Sequence, residues 1–460
     1  MSVHAYKYRI YPNAEQEQKL AQFFGCSRKM YNLLLEWWQN EYQLSKESGE
    51  PMRKMPDYTY FKNMEEYSYF RNCDSVALQQ SRMSFQSALE NFFKSKNGQR
   101  KGRKVGFPTF KKKGVSRDAY TTYNNNTIYL DKEEKHIKLP KLGFVKIKLH
   151  RKFYGNIKSV NVSRSKANNY FVSITVDTWE PDKPVFRRGA RACNPSVVGL
   201  DMSYKDFVVS SDGSDDTIIK YVRLYRKYER KLARLQRQVS RKEMIGTGEK
   251  FINRYGKEQE IKRRSANREK ARLRHARLAE HVANKRTDFL VKLALYFVRK
   301  YDVIVLEDID MQAQARSLNL GKSAMDLGFG EFHGWLEHEA KKYDCYIYYV
   351  DKWFASSQTC SECGYKNPEV KDLSVREWTC PCCGAHHDRD RNAALNLKGY
   401  FLERLNTVGT TEIQACGDGT STLREIFGRV LPKSPVTGQK QEAHKALVVG
   451  QTEARDLSRG

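Results

Sequence analysis

No apolar run in this chain approaches the roughly 18 residues that a membrane-spanning helix needs, so the sequence predicts no transmembrane span. The opening residues, MSVHAYKYRIYP, hold no apolar core of the kind a secretory signal carries. Acidic residues are few against basic ones: 54 Asp and Glu face 82 Lys and Arg, a net charge of +28 over 460 residues. A compact protein with that excess repels itself unless a polyanion offsets it. Nucleic acid is therefore the expected partner, with a membrane surface the weaker alternative, because each Lys or Arg on a phosphate releases counterions. Outside one short stretch cysteine is sparse too. Cys26, Cys73, Cys193, Cys345 and Cys416 are scattered, which fits reduced thiols in a cytoplasmic protein. What remains is ample for folding: 40% of residues are hydrophobic, and the length allows about two to four domains.

The exception to the scarcity of cysteine lies at residues 360–396. It reads C-S-E-C-G from Cys360 and C-P-C-C-G from Cys380, two C-x-x-C pairs separated by 16 residues. Each pair can grip one ion from two sides, and Gly364 and Gly384 allow the sharp turns that follow. Four thiolates, Cys360, Cys363, Cys380 and Cys383, suit tetrahedral zinc, and this spacing favours zinc over two redox pairs or a disulfide knot. Cys382 falls between the ligands as a spare thiol. Both pairs come from one short segment, so the site reads as structural and closed. The chemistry should then lie nearby, and Asp390, in H-D-R-D-R-N-A-A-L-N, is the first candidate.

Upstream, residues 3–11 alternate as a strand, and 14–94 turn helical with apolar residues near helical spacing. Trp37 and Trp38 read as core. Residues 98–114, GQRKGRKVGFPTFKKKG, form a basic loop in which Phe107 and Phe110 interleave with the charges, a pattern that suits nucleic-acid contact. Residues 119–178 alternate as five strands that, with the first, could close a small barrel. The expected organisation is α+β and multidomain: a barrel from 1–13 and 95–180, a helical insertion at 14–94, a linker at 181–196, an α/β domain at 197–359 and 384–405, a zinc ribbon at 360–383, and a flexible basic tail at 406–460. Residues 223–300 are expected to be helical and basic, with a soft break at IGTGEKFINRYG.

Two buried-type strands end on acids, SVVGLDMS at Asp201 and DVIVLEDID at Glu307. The order of three strands, helix, strand, helix, strand, helix is the ribonuclease-H-like layout. There the first and fourth strands run side by side, so Asp201 and Glu307 would meet at one edge while the helix carrying Asp390 crosses it. Such a trio binds two Mg²⁺ about 4 Å apart, one activating water and the other stabilising the leaving oxygen of a phosphodiester; carboxylate oxygens are the hard ligands that magnesium takes. Each acid also has a plain reading. Glu307 with Asp308 and Asp310 could be an acidic turn, and Asp390 could be only a helix N-cap. Asp388 and Asp308 are the neighbours most easily confused with ligands.

With these residues in hand, the chain resembles the TnpB family of transposon-encoded RNA-guided nucleases, relatives of the type V CRISPR effectors that share a RuvC-like domain. The match rests on GLDMSYKDFVVSSDG, DVIVLEDID, GFGEF, the segment SSQTCSECGYKNPEVKDLSVREWTCPCCGAHHDRDRNAALN, and more loosely on VGFPTFKKK and LPKLGFVKIK, which together span residues 3 to about 400. The resemblance implies a wedge-like barrel with a helical recognition insertion, then RuvC with a zinc ribbon. It implies Zn²⁺, Mg²⁺ and a guide RNA as cofactors, and cleavage of double-stranded target DNA beside a short adjacent motif. It assigns Asp201, Glu307 and Asp390 as the catalytic trio. Ser203 departs from the family, which more often has Gly there. The helices at 223–300 would hold the RNA or heteroduplex through phosphates. Gln79, Asn124 and Asn125 offer amides that could read adenine edges, or could equally be helix-surface and turn residues. The alternative from another class is a non-cleaving RNA- or DNA-binding repressor or transposition accessory protein. A cut-and-paste transposase is disfavoured because no clear helix-turn-helix is present. A monomer in the prokaryotic cytoplasm, associated with the nucleoid, is the expected state.

Overall fold

The structure is a computed structural model. It describes residues 2–412 except 101, 103, 179–194, 214–217, 222, 253–257, 309–320, 352 and 373. The chain divides after Pro181 into two compact units.

The first unit is built on β1 (Ser2–Tyr11), which lies inside a seven-stranded antiparallel sheet. Its other strands are β2 (Asp118–Tyr123), β3 (Tyr129–Leu130), β4 (His136–Leu139), β5 (Gly143–Lys148), β6 (Asn156–Arg164) and β7 (Tyr170–Thr178), in the order β2-β6-β7-β1-β5-β4-β3. β1 pairs along β7 from Ser2↔Thr178 to Ile10↔Tyr170. On β7 the period of two is clean, with Tyr170, Val172, Ile174 and Val176 buried. The edge strands β2 and β3 do not pair with each other, so the sheet is a half-barrel. Closure depends on which edges meet, and no local sequence signal reports that.

Helix α1 (Ala14–Ser48) starts in a capping box: Gln16 donates its backbone N–H to Asn13 Oδ1 at 2.8 Å, and Asn13 donates its own to Gln16 Oε1 at 3.1 Å. It ends at Gly49, whose φ of 74° supplies the left-handed turn. After the short α2 (Tyr58–Lys62) comes α3 (Ser75–Lys96). Phe23 and Phe24 of α1 pack on Tyr120 of β2, and Trp37 and Trp38 are half-buried against the same core. Phe107 departs from the expectation of nucleic-acid contact. Its ring lies 5.2 Å from that of Trp38 and 5.3 Å from that of Phe92, and belongs to the core, whereas Phe110 stays exposed.

The second unit has a five-stranded sheet ordered β10-β9-β8-β13-β14. These strands are β8 (Val197–Met202), β9 (Val208–Ser210), β10 (Ile218–Ile219), β13 (Val303–Glu307) and β14 (Tyr346–Val350). β8, β13 and β14 are parallel, which places the first and fourth strands of this sheet side by side as expected. Along β13, Ile304 and Leu306 face one layer and Val303 and Val305 the other. Both faces are covered, so these strands read as unbroken apolar runs. One layer is α5 (Ala266–Lys300) with α6 (Gly321–Leu327) and α7 (Phe329–Tyr343), through Leu290, Phe297, Phe332 and Leu336. The other is α8 (Arg389–Glu412), through Leu397 and Phe401.

The expected soft break in the basic helices is a β-hairpin, β11 (Met244–Ile252) and β12 (Glu258–Arg264), set between α4 (Leu224–Ser240) and α5. Where its side chains are described they are exposed, with cross-strand pairs such as Lys250–Glu258 at 3.2 Å, so no buried face marks it in the sequence. Helix α8 runs on to Glu412, past residue 405 where the tail was placed. Residues 413–460 of that tail, 181–194 of the linker, and Asp310 lie outside the described residues.

Candidate active site and metal knuckle

Leu200 and Leu306 are register partners in the β8–β13 ladder, and the next residue on each strand is Asp201 and Glu307. Asp390 sits in the first turn of α8, which is held unusually close to β8. A Cβ on Gly199 would lie 2.1 Å from the Ala394 carbonyl oxygen and 2.8 Å from the Lys398 nitrogen. Only a glycine lets the helix backbone come down on the strand there, and Ala393 and Ala394 keep the facing surface small and fully buried.

Asp201 feels the other two carboxyls. Burial pushes the Asp201 carboxyl well above the usual carboxylate range, although the residue keeps some solvent access, and the charges of Glu307 and Asp390 push the same way; Arg389 opposes them. Burial also raises Glu307, while a hydrogen bond donated by the Ser356 hydroxyl to Oε1 holds it down. Asp390 accepts a hydrogen bond from Ser203 Oγ at 3.0 Å and has Arg376 Nη1 at 3.7 Å from Oδ1. The helix cap, the plain reading of Asp390, belongs instead to Asp388: its Oδ1 accepts the Arg391 N–H at 2.9 Å. That leaves Asp390 facing the other acids. Asp308 donates its backbone N–H to the Val350 carbonyl at 3.4 Å.

The cysteines form two like turns. Gly364 N–H donates to Cys360 O and Gly384 N–H to Cys380 O, both at 2.9 Å, with φ of 75° and 73° at the glycines. The four sulfurs of Cys360, Cys363, Cys380 and Cys383 lie within 4.8 Å of one another, with Cys360–Cys383 at 3.7 Å and Cys363–Cys380 at 3.6 Å. A tetrahedron with metal–sulfur bonds of about 2.3 Å has edges of about 3.8 Å, so the cluster has the size to hold one metal ion. Cys382 is exposed and outside it. Among the described residues no other group of three such side chains is as tight. The carboxylate trio is less tight than the cysteine cluster.

Several side chains that tie these parts together were not singled out in the sequence. Asn392 accepts the Ser361 N–H at 3.0 Å and donates to Thr359 O at 2.6 Å. Asn396, one turn on, donates to Ser356 O at 2.7 Å and Thr359 O at 2.6 Å. Both amides are buried, at positions i and i+4 of one helix face. They join α8 to the segment that supplies Ser356 and then Cys360. His387 Nε2 lies 3.0 Å from Cys360 Sγ. The i, i+4 spacing is the available signal, but amides on a helix ordinarily face solvent.

In the first unit, Gln79 is exposed on α3 and Asn125 is exposed in the turn after β2. Asn124 is committed to its own turn: Nδ2 donates to Ile157 O at 2.9 Å, and Oδ1 accepts from Thr127 and Ile128 at 3.0 and 2.9 Å. Its amide is not presented for the two-point pairing with a base that the sequence suggested.

Three family models match the chain: "Probable transposase" over residues 183–318, "Cas12f1-like, TNB domain" over 329–397, and "Helix-turn-helix domain" over 1–47. Residues 2–47 form only β1 and most of the single helix α1, so no helix-turn-helix is present there. A protein of Streptomyces pristinaespiralis named "Putative RNA-guided DNA endonuclease" is 31% identical over 429 residues, covering 92% of each chain. The chain belongs to the TnpB family of RNA-guided nucleases. An Escherichia coli K12 relative of the same name, InsQ, is 29% identical over 85% of this chain and 91% of its own. A solved Cas12f1–sgRNA–target DNA complex aligns over 86% of this chain and 98% of its own, at 14% identity and a TM-score of 0.45, a likeness that adds nothing to the assignment.

Proposed function

We propose that this protein is a transposon-encoded, RNA-guided DNA endonuclease that hydrolyses a target phosphodiester at the edge formed by Asp201, Glu307 and Asp390. The observation that carries this reading is the convergence of three acids from β8, β13 and α8 in a chain of net charge +28. Burial and the charges of Glu307 and Asp390 raise Asp201 despite the opposing charge of Arg389. A cluster of that kind suits divalent cations, and Asp201, Glu307 and Asp390 are the groups that would hold two Mg²⁺, which supply an activated water and charge relief at the leaving oxygen.

The protein's own part is to fix these ligands. Ser356 orients Glu307, Ser203 orients Asp390, and the β8–β13 ladder sets the spacing of Asp201 and Glu307. Zinc in the four-cysteine cluster would be structural, holding the segment that α8 grips through Asn392 and Asn396. A guide RNA would pair with the target while protein reads a short flanking motif; Gln79 and Asn125 are the exposed amides left for that task. The protein acts in the cytoplasm as a monomer on guide RNA and double-stranded DNA.

The test is purification with co-bound RNA, sequencing of that RNA, and cleavage of a plasmid carrying a randomised flank. Guided cuts should need Mg²⁺ and stop in EDTA. Asp201→Ala, Glu307→Ala and Asp390→Ala should each reduce cleavage at least a thousandfold, on the order of the loss of a metal-held step, while gel shifts stay near wild type; Asp388→Ala should be milder. The same preparation should contain about one zinc per chain. Guided binding without cutting under any divalent metal would establish the repressor reading instead.

A further inference from the structure

Trp353 is 74% exposed, in a molecule whose other large rings mostly pack in its cores. Its position is bracketed from both sides by the carboxylate edge. Three residues before it, Val350 is the ladder partner of Glu307. Three residues after it, Ser356 donates its hydroxyl to the Glu307 carboxylate. Three residues span at most about 11 Å, so the Trp353 backbone lies within that reach of both groups.

The ring is also presented by a fixed turn. The Trp353 N–H donates to Asp351 Oδ1 at 2.8 Å, and the Phe354 N–H to the Asp351 carbonyl at 3.0 Å. Phe354 then anchors the turn, its ring 4.8 Å from that of Tyr400 on α8. Two residues further, the backbone of Ser356 is held by Asn396 of the same helix. An indole this exposed, on a backbone within that reach of the carboxylate edge, gains by burial against a flat apolar partner. If this edge hydrolyses a phosphodiester as proposed, the flat partner at hand is a base of the strand being cut.

The geometry points to Trp353 as a nucleobase-stacking site that positions an unpaired stretch of the DNA strand whose phosphate is delivered to Asp201, Glu307 and Asp390. This rests on the nuclease reading above. The ligand is the face of a single unpaired base next to the scissile phosphate. In duplex DNA both faces of a base are covered by neighbours, so only a strand already opened can offer one. Stacking tolerates any base, because every base has a π face. Trp353 is a positioning residue, and it selects single-stranded over double-stranded DNA at the cutting step without reading sequence.

The test uses the full chain loaded with its guide RNA, on target duplexes carrying single abasic sites walked along the cut region. Wild type should be slowed at one abasic position, on the order of tenfold, the scale of one lost base–aromatic stack. Trp353→Ala should be slowed by a similar factor on intact target, chiefly in KM, and should be insensitive to the abasic site at that position. Trp353→Phe should restore most of the rate, and Trp353→Leu should not. Thermal melting of each variant checks that the fold is kept. Wild-type cleavage with no abasic-sensitive position, or an equal further slowing of Trp353→Ala at that position, overturns the stacking site while leaving the nuclease reading intact. Absence of guided cleavage by the wild type overturns the nuclease reading itself.

Discussion

Both burial and its two neighbouring acids oppose the charge of Asp201. Its folded-state carboxyl titrates above the unfolded one. Below the unfolded carboxylate range both states are protonated and nothing is lost. As pH rises from there through the raised folded value, the unfolded chain ionises first and stability falls. In EDTA, then, Asp201→Asn should melt above wild type at neutral pH, and the gap should close as pH drops below about 4, the unfolded carboxylate range. Added Mg²⁺ should raise the wild-type Tm and leave the variant nearly unmoved. Melting curves across pH, with and without metal, check both signs; a gap that persists in acid would mean packing rather than charge is responsible. Ser203 belongs at the same scale. Where the family more often has glycine, this chain places a hydroxyl that donates to Asp390 at 3.0 Å, so the departure adds a contact instead of removing one.

At the scale of elements, α8 connects the metal cluster to the acids. Its approach to β8 depends on Gly199. Gly199→Ala would put a methyl 2.1 Å from the Ala394 carbonyl oxygen, a backbone atom that can yield only if the helix moves. We expect a loss of about 1–3 kcal/mol, the usual cost of overpacking, with cleavage falling further than guide-RNA binding because Asp390 moves with the helix. Denaturant melts and paired binding and cleavage assays measure the two effects. The sequence made the acids legible for a related reason. β8 and β13 are covered on both faces, so their apolar runs end abruptly at Asp201 and Glu307. Asp390 was legible through its spacing from the cysteines. By contrast, β11 and β12 show no buried face, and Asn392 and Asn396 look like solvent-facing amides until their partners at 359–361 are known. The division of labour between Asp388 and Asp390 was likewise hidden, because either residue can cap a helix, and only the Arg391 N–H shows which one does.

At the scale of the whole molecule the charge excess dominates. Helix α4 turns Leu224 and Leu232 inward and presents Arg230, Lys231, Arg234 and Arg237 to solvent. Arg230 and Arg234 stand one turn apart on one face. Guide-RNA affinity should therefore fall steeply with salt, by roughly 10³ to 10⁵ between 50 and 200 mM if six to ten phosphates are held. Replacing Arg230 and Arg234 together by glutamine should lower the slope of log affinity against log salt by about two. Filter binding over a salt series reads this directly, and an unchanged slope would place the RNA on another face. The half-barrel unit adds further basic surface, and its open edge was not visible from strand alternation, which reports faces and not closure.

The placement of the third acid has a consequence for how the protein is made. Asp201 and Glu307 leave the ribosome well before Asp390, and α4 and α5, with their arginines and lysines, precede it too. A nascent chain, or one ended early by a stop codon or a protease before the second cysteine pair, already has the basic helices and two of the acids. It lacks the third acid and cannot complete the carboxylate edge. On the proposed function, competence to cut would arrive only when α8 has been synthesised and has settled onto β8 at Gly199. On the same reading, a fragment that keeps the basic helices would compete with the full protein for nucleic acid without cutting it.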